Sequence, residues 1–134
     1  MLKLVSTVAM AIALLVPGLL QAGEAAEPDL IAVKFHADWC GGCKMMGTTF
    51  ADLGNKFDGQ SVLFVTFDRT NRTVGHQSEL LASALGLGSL YADNTGTGYI
   101  LLLESRSHEV VGRLSAKDSM MEMASRIHSH LTES

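Results

Sequence analysis

Cys40 and Cys43 are the two cysteines of a 134-residue chain, set two glycines apart directly after Trp39. Three kinds of chemistry suit such a pair: a redox couple, half of a metal site, or an inert bridge. A bridge between residues this close closes too short a loop to restrain the unfolded chain much, which makes stapling the weakest of the three. A closed zinc site wants four ligands, and the sequence has no second cysteine pair. Lys44 follows Cys43 where a c-type haem attachment sequence has His. Exchange chemistry needs an exposed, acidic attacking thiol and a second thiol that resolves the mixed disulfide.

The elements around the pair favour that chemistry. "LIAVKFHA", starting at Leu30, is a short apolar run with β-branched residues, a buried strand. Cys43, Met46, Phe50, Leu53 and Phe57 then line one face of a single helix, which Asp58-Gly59 stops. Cys40 therefore falls where a strand hands over to a helix. Unpaired N–H groups and the helix dipole there favour a thiolate. Cys43 lies one turn on, within reach.

"SVLFVTFD" is a second strand, parallel to the first through a βαβ crossover. "HQSELLASALG" reads as a helix with Leu80, Leu81, Ala84 and Leu85 inward and Gly86 as its stop. "YILLLE" and "EVVGRLS" form a hairpin across "SRSH". Ser115, with Asp118 three residues on, starts a last helix whose inner face is Met120, Ala124, Ile127 and Leu131, with Met121 and Met123 as core filler. The order β-α-β-α-β-β-α predicts an α/β domain with a mixed four-stranded sheet and helices on both faces. The segment "GLGSLYADNTGTG" before the third strand reads as a long glycine-rich functional loop.

With 47% hydrophobic and 18% charged residues, the composition is that of one globular domain. The start is different: Lys3, then the 13-residue apolar run "LVSTVAMAIALLV", then Pro17-Gly18 and small residues. This predicts a secretory signal peptide over residues 1–23 and a domain over 24–134. The run is shorter than the roughly 18 residues of a membrane span, so membrane contact is expected only through an uncleaved leader. Cleavage near Ala22 removes only Lys3 among the charged side chains, taking the net charge from −4 to −5. A mildly acidic surface argues against nucleic acid as a partner. Export, to a periplasm or another extracytoplasmic space, places the cysteines where disulfides persist.

"FHADWCGGCK", from Phe35 to Lys44, resembles the active-site segment of thioredoxin-like proteins, roughly Phe-x-Ala-x-Trp-Cys-Gly-Pro-Cys-Lys. Phe35, Ala37, Trp39, Cys40, Gly41, Cys43 and Lys44 match, and the likeness runs ungapped from Leu30 to Asp68. It implies a thiol-disulfide oxidoreductase with Cys40 as nucleophile and Cys43 as resolving thiol. No cofactor is implied beyond the redox-active Cys40–Cys43 disulfide. Partners would be protein or small-molecule thiols and disulfides, together with a redox donor or acceptor protein. Trp39, Gly41, Gly42, Lys34, Gly98 and Tyr99 would support the site.

The departures from the family pattern are specific. Gly42 stands in place of Pro, Thr48 in place of the helix-kinking Pro, and His36 in place of a frequent Trp. Lys34 and Phe64 occupy the positions of a buried Asp and its Lys partner. Gly98 aligns with a cis-Pro, and trans geometry is expected there. Lys34 is expected either to snorkel or to hold Cys40 as thiolate. An alternative reading is a copper(I)-handling module, with Cys40 and Cys43 joined by Met45 or His36 as soft or borderline ligands. A third is a non-catalytic interaction domain that keeps the fold.

Overall fold

The computed structural model describes residues 26–133, so the leader expected over 1–23 lies outside the described residues. The elements are β1 (Leu30–His36), α1 (Gly41–Met46), α2 (Thr49–Lys56), β2 (Val62–Asp68), α3 (Arg72–Ala84), α4 (Gly88–Asp93), β3 (Tyr99–Glu104), β4 (Val110–Ser115) and α5 (Met120–Thr132). The strands form one mixed sheet in the order β2-β1-β3-β4. β1 runs parallel to β2 and antiparallel to β3, and β3 and β4 form the antiparallel hairpin.

Alternation along β1 sends residues to two cores. Leu30 and Ala32 pack with Met46, Leu53, Phe57, Met123 and Ile127 beneath α1, α2 and α5. Ile31, Val33 and Phe35 pack with Phe67, Ala82, Leu87 and Tyr91 beneath α3 and α4. Helices thus cover both faces, as expected of a thioredoxin-like fold. The C-terminal end of β1 leads straight into the cysteine segment.

Five sequence expectations are corrected. The single helix from Cys43 to Phe57 is two helices, broken at Gly47, whose φ of +51° no ordinary L-residue adopts readily. The apolar stripe still continues across the break, because each half keeps its buried side on the sheet.

On α3, Leu80, Leu81 and Ala84 face solvent, and the buried positions are Ser78 and Ala82. The small Ser78 lets α3 lie close to β2, where its hydroxyl donates to the Asp68 carbonyl and accepts from the Asp68 N–H. The segment read as a long loop contains α4, anchored by the buried Tyr91, whose hydroxyl donates to the Gly75 carbonyl.

The last helix starts at Met120, with Ser119 and Glu122 forming the capping box. Ser115 and Asp118 make the preceding turn instead. Met123 belongs to the core of that helix, while Met121 is exposed.

Candidate functional site

Cys40 is the N-cap of α1, with extended backbone, and its sulfur accepts the Cys43 N–H at 3.2 Å. One turn on, Cys43 points inward, its sulfur 3.7 Å from the Phe35 carbonyl oxygen. Both thiols are free and pack with Ala37. Cys40 is only 7% accessible, whereas the sequence reading required an attacking thiol to be exposed. Gly98, with φ +88°, lies close enough beside Cys40 that a Cβ there would press on the sulfur.

This approach depends on two glycines facing each other. A Cβ on Gly98 would sit 3.0 Å from Cys40 Sγ and 3.3 Å from Gly42 Cα. A Cβ on Gly42 would sit 3.4 Å from the Gly98 backbone. Gly41 is open, with nothing within 4 Å of an added Cβ. No cis peptide bond occurs among the described residues. Gly98 is held by its N–H donating to the Phe35 carbonyl at 2.8 Å. Gly98→Ala should therefore combine a strained left-handed backbone with a contact onto the reactive sulfur. The expected cost is about 1–3 kcal/mol of stability, read as a lower denaturant midpoint, together with slowed modification of Cys40. An unchanged midpoint would mean that the two backbones do not meet this closely.

The two thiols have opposite acidities. Burial works against the Cys40 anion. The Cys43 S–H, the Thr97 hydroxyl and the Cys43 and Gly42 N–H groups outweigh it, so the thiol is more acidic than usual. Burial pushes the Cys43 thiol up, and the neighbouring Cys40 adds to the rise. The Ala37 backbone and Lys34 oppose it in part. The positive charge expected to act on Cys40 thus acts on Cys43.

Thr97 was not singled out in the sequence. Its hydroxyl reaches Cys40 only because the segment before β3 folds across the start of α1.

Lys34 is buried, with Nζ 5.8 Å from the Phe50 ring centroid. Phe64 packs against Phe50 and Phe57, so aromatic rings occupy the place of an ion pair. Trp39 is 63% exposed, and its indole N–H donates to the Thr70 carbonyl. The Asp38 N–H donates to the Thr70 hydroxyl, which donates to Asp68, so the segment before Cys40 is tied to the end of β2. Asp68 and Thr70 are supports that the motif did not reveal.

Tyr99 does not line the surface around Cys40. It is buried against Phe35 at 5.1 Å, with the Arg113 guanidinium over its other face at 4.0 Å. It braces the strand whose carbonyl holds Gly98. Of the extra ligands of the copper reading, Met45 is exposed, and His36 Nε2 is 3.1 Å from Asp38 Oδ1. Among the described residues, no group of three or more His, Cys, Asp or Glu is gathered to hold a metal ion.

A family model described as Thioredoxin matches residues 22–81, which contain β1, both cysteines, α2, β2 and most of α3. Thioredoxin-1 of Drosophila melanogaster is 42% identical over 40 residues, 30% of this chain and 37% of the relative. Thioredoxin-1 of Drosophila yakuba gives the same figures. The matched part thus spans little more than a third of the length of these relatives. Among solved structures, the thioredoxin NaTrxh from Nicotiana alata is 27% identical, with TM-score 0.49, covering 77% of this chain and 74% of that one. The Fasciola hepatica thioredoxin is 22% identical at the same TM-score, covering 78% and 83%. The family model lies over the first strand, the helix start and the thiol pair, and over that segment the chain is similar to thioredoxins.

Proposed function

We propose that this protein is an exported thiol-disulfide oxidoreductase that works through the Cys40–Cys43 pair. The observation that carries the reading is the asymmetry of the two sulfurs. Cys40 caps a helix and is held as an acidic thiol by converging donors, while Cys43 sits behind it as a buried, reluctant acid.

Chemistry follows from that order. The Cys40 thiolate attacks one sulfur of a partner disulfide, and the other partner sulfur leaves as a thiolate and takes a proton. Cys43 then loses its proton and attacks Cys40 Sγ, expelling the second partner sulfur as a thiol. Two electrons pass to the partner, and the pair ends as its internal disulfide. Run backwards, the same steps oxidise a partner dithiol. The redox-active group is the cysteine pair, and its partners are protein or small-molecule thiols and disulfides plus a redox protein that resets it. Trp39, exposed beside Cys40, and the open Gly41 position offer a contact surface for them.

Export is supported by the sequence of residues 1–23, and intact mass of the protein recovered from an extracytoplasmic fraction tests it. The activity is tested by insulin reduction with dithiothreitol and by refolding of a scrambled disulfide substrate, with copper(I) retention after desalting measured alongside. Turnover in either assay is the expected result. Stoichiometric copper with no turnover in either would overturn the reading in favour of metal handling.

A further inference from the structure

The buried cation next to the thiol pair has no carboxylate to neutralise it. Among the described residues, Lys34 takes part in no ion pair. Only 8% of it is accessible, and its Nζ lies over the Phe50 ring. Burying an ammonium group without a counter-charge is costly. In this position, the group that gains from it is an anion that forms transiently.

Geometry identifies that anion. Lys34 shares the β1 face of Leu30 and Ala32, which packs beneath α1 and α2 through Met46 and Phe50. Cys43 descends from α1 onto the same end of β1, its sulfur 3.7 Å from the carbonyl of Phe35, the residue after Lys34. The strand neighbours of Lys34 are Thr66 and Ile100, which carry no charge. On β1, His36 is turned to Asp38. On α2, Asp52 is exposed and accepts from the Thr48 hydroxyl. Of the two cysteines, Cys43 is the one on which the Lys34 charge acts.

We propose that Lys34 is a positioning charge for Cys43, stabilising its thiolate when it attacks Cys40 Sγ or is expelled from it. This rests on the exchange reading of the pair. A protonated lysine cannot accept the Cys43 proton, so the proton passes to solvent or to the departing partner thiolate. Lys34 lowers the cost of the charge left behind. In the opposite direction, it makes Cys43 a better leaving group when a partner thiolate attacks Cys40.

The test uses the reduced protein with dithiobis(nitrobenzoate) in a stopped-flow instrument. Cys40 attacks the reagent and releases one aryl thiolate. Cys43 then closes the internal disulfide and releases a second, so the second phase reads Cys43 alone. Lys34→Met keeps the stem on Phe50 and removes the charge. A tenfold loss of Cys43 thiolate, offset by the roughly threefold greater nucleophilicity of a less acidic thiol, slows the second phase about threefold at neutral pH.

The pH profile of the second phase should move to higher pH in Lys34→Met and in Lys34→Gln. Lys34→Arg should restore it, and the first phase should change by less than about twofold. If both neutral variants keep the wild-type pH profile for the second phase, the role of Lys34 is overturned while the exchange reading stands. If the wild type releases no second aryl thiolate, the exchange reading itself fails.

Discussion

Cys40→Ser should abolish disulfide exchange, whereas Cys43→Ser should arrest it with the partner attached. The serine hydroxyl stays protonated at the helix N-cap, where donors that suffice for a thiol cannot ionise it. Turnover should fall at least about a thousandfold, roughly 4 kcal/mol of barrier. Cys43→Ser leaves the attacking sulfur and its other donors in place, so the first attack proceeds and the mixed disulfide accumulates, visible as a mass adduct on Cys40.

The acidity of Cys40 gives this prediction a pH signature. Because the thiol is more acidic than usual, its alkylation rate rises as pH climbs through a midpoint below the ordinary value of 9.0, then levels off. The same shift stabilises the reduced folded state. That contribution is complete above the ordinary thiol pKa and is lost as pH falls through the lowered one. An alkylation midpoint at or above 9.0 would contradict the donor set described for Cys40. Equal trapping by both serine variants would contradict the assignment of roles.

Phe35→Ala is the substitution expected to cost the fold most. Phe35 is fully buried, stacked on Tyr99 at 5.1 Å and edge-on to Phe67 at 5.7 Å. Truncation removes both ring contacts and leaves a cavity, at a cost of about 3–5 kcal/mol. That is a large share of the stability of an ordinary domain. The site should suffer with the fold, because the Phe35 carbonyl accepts the Gly98 N–H and lies beside Cys43 Sγ. Urea unfolding of the reduced protein measures the loss, and Phe35→Leu should retain most of the stability. A loss under about 1 kcal/mol for the alanine variant would show that the cavity collapses and the rings are not a shared support.

Much of this was readable from one dimension. A strand ending at Cys40, a helix beginning there, and a second thiol one turn later follow from residue type and spacing over a dozen residues. The Cys43–Met46–Phe50–Leu53–Phe57 stripe is local in the same sense, and it survived a break in the helix that its period did not show. The strand runs were equally clear, because the buried strands of this sheet are nearly unbroken apolar segments.

Three-dimensional packing decided the rest. Hydrophobicity placed Leu80 and Leu81 inward, but the close approach of α3 to β2 needed Ser78 and Ala82 there. Glycine content suggested a loop where Tyr91 holds a helix. Lys34 was buried on the face of β1 that α1 and α2 cover, and Gly98, Thr97 and Thr70 came to the site from distant parts of the chain. Spacing along a chain determines which side chains share a face of one element. Which backbones come close enough to crowd a sulfur, or which cation lies under which helix, depends on how separate elements stack, and no local pattern encodes that distance.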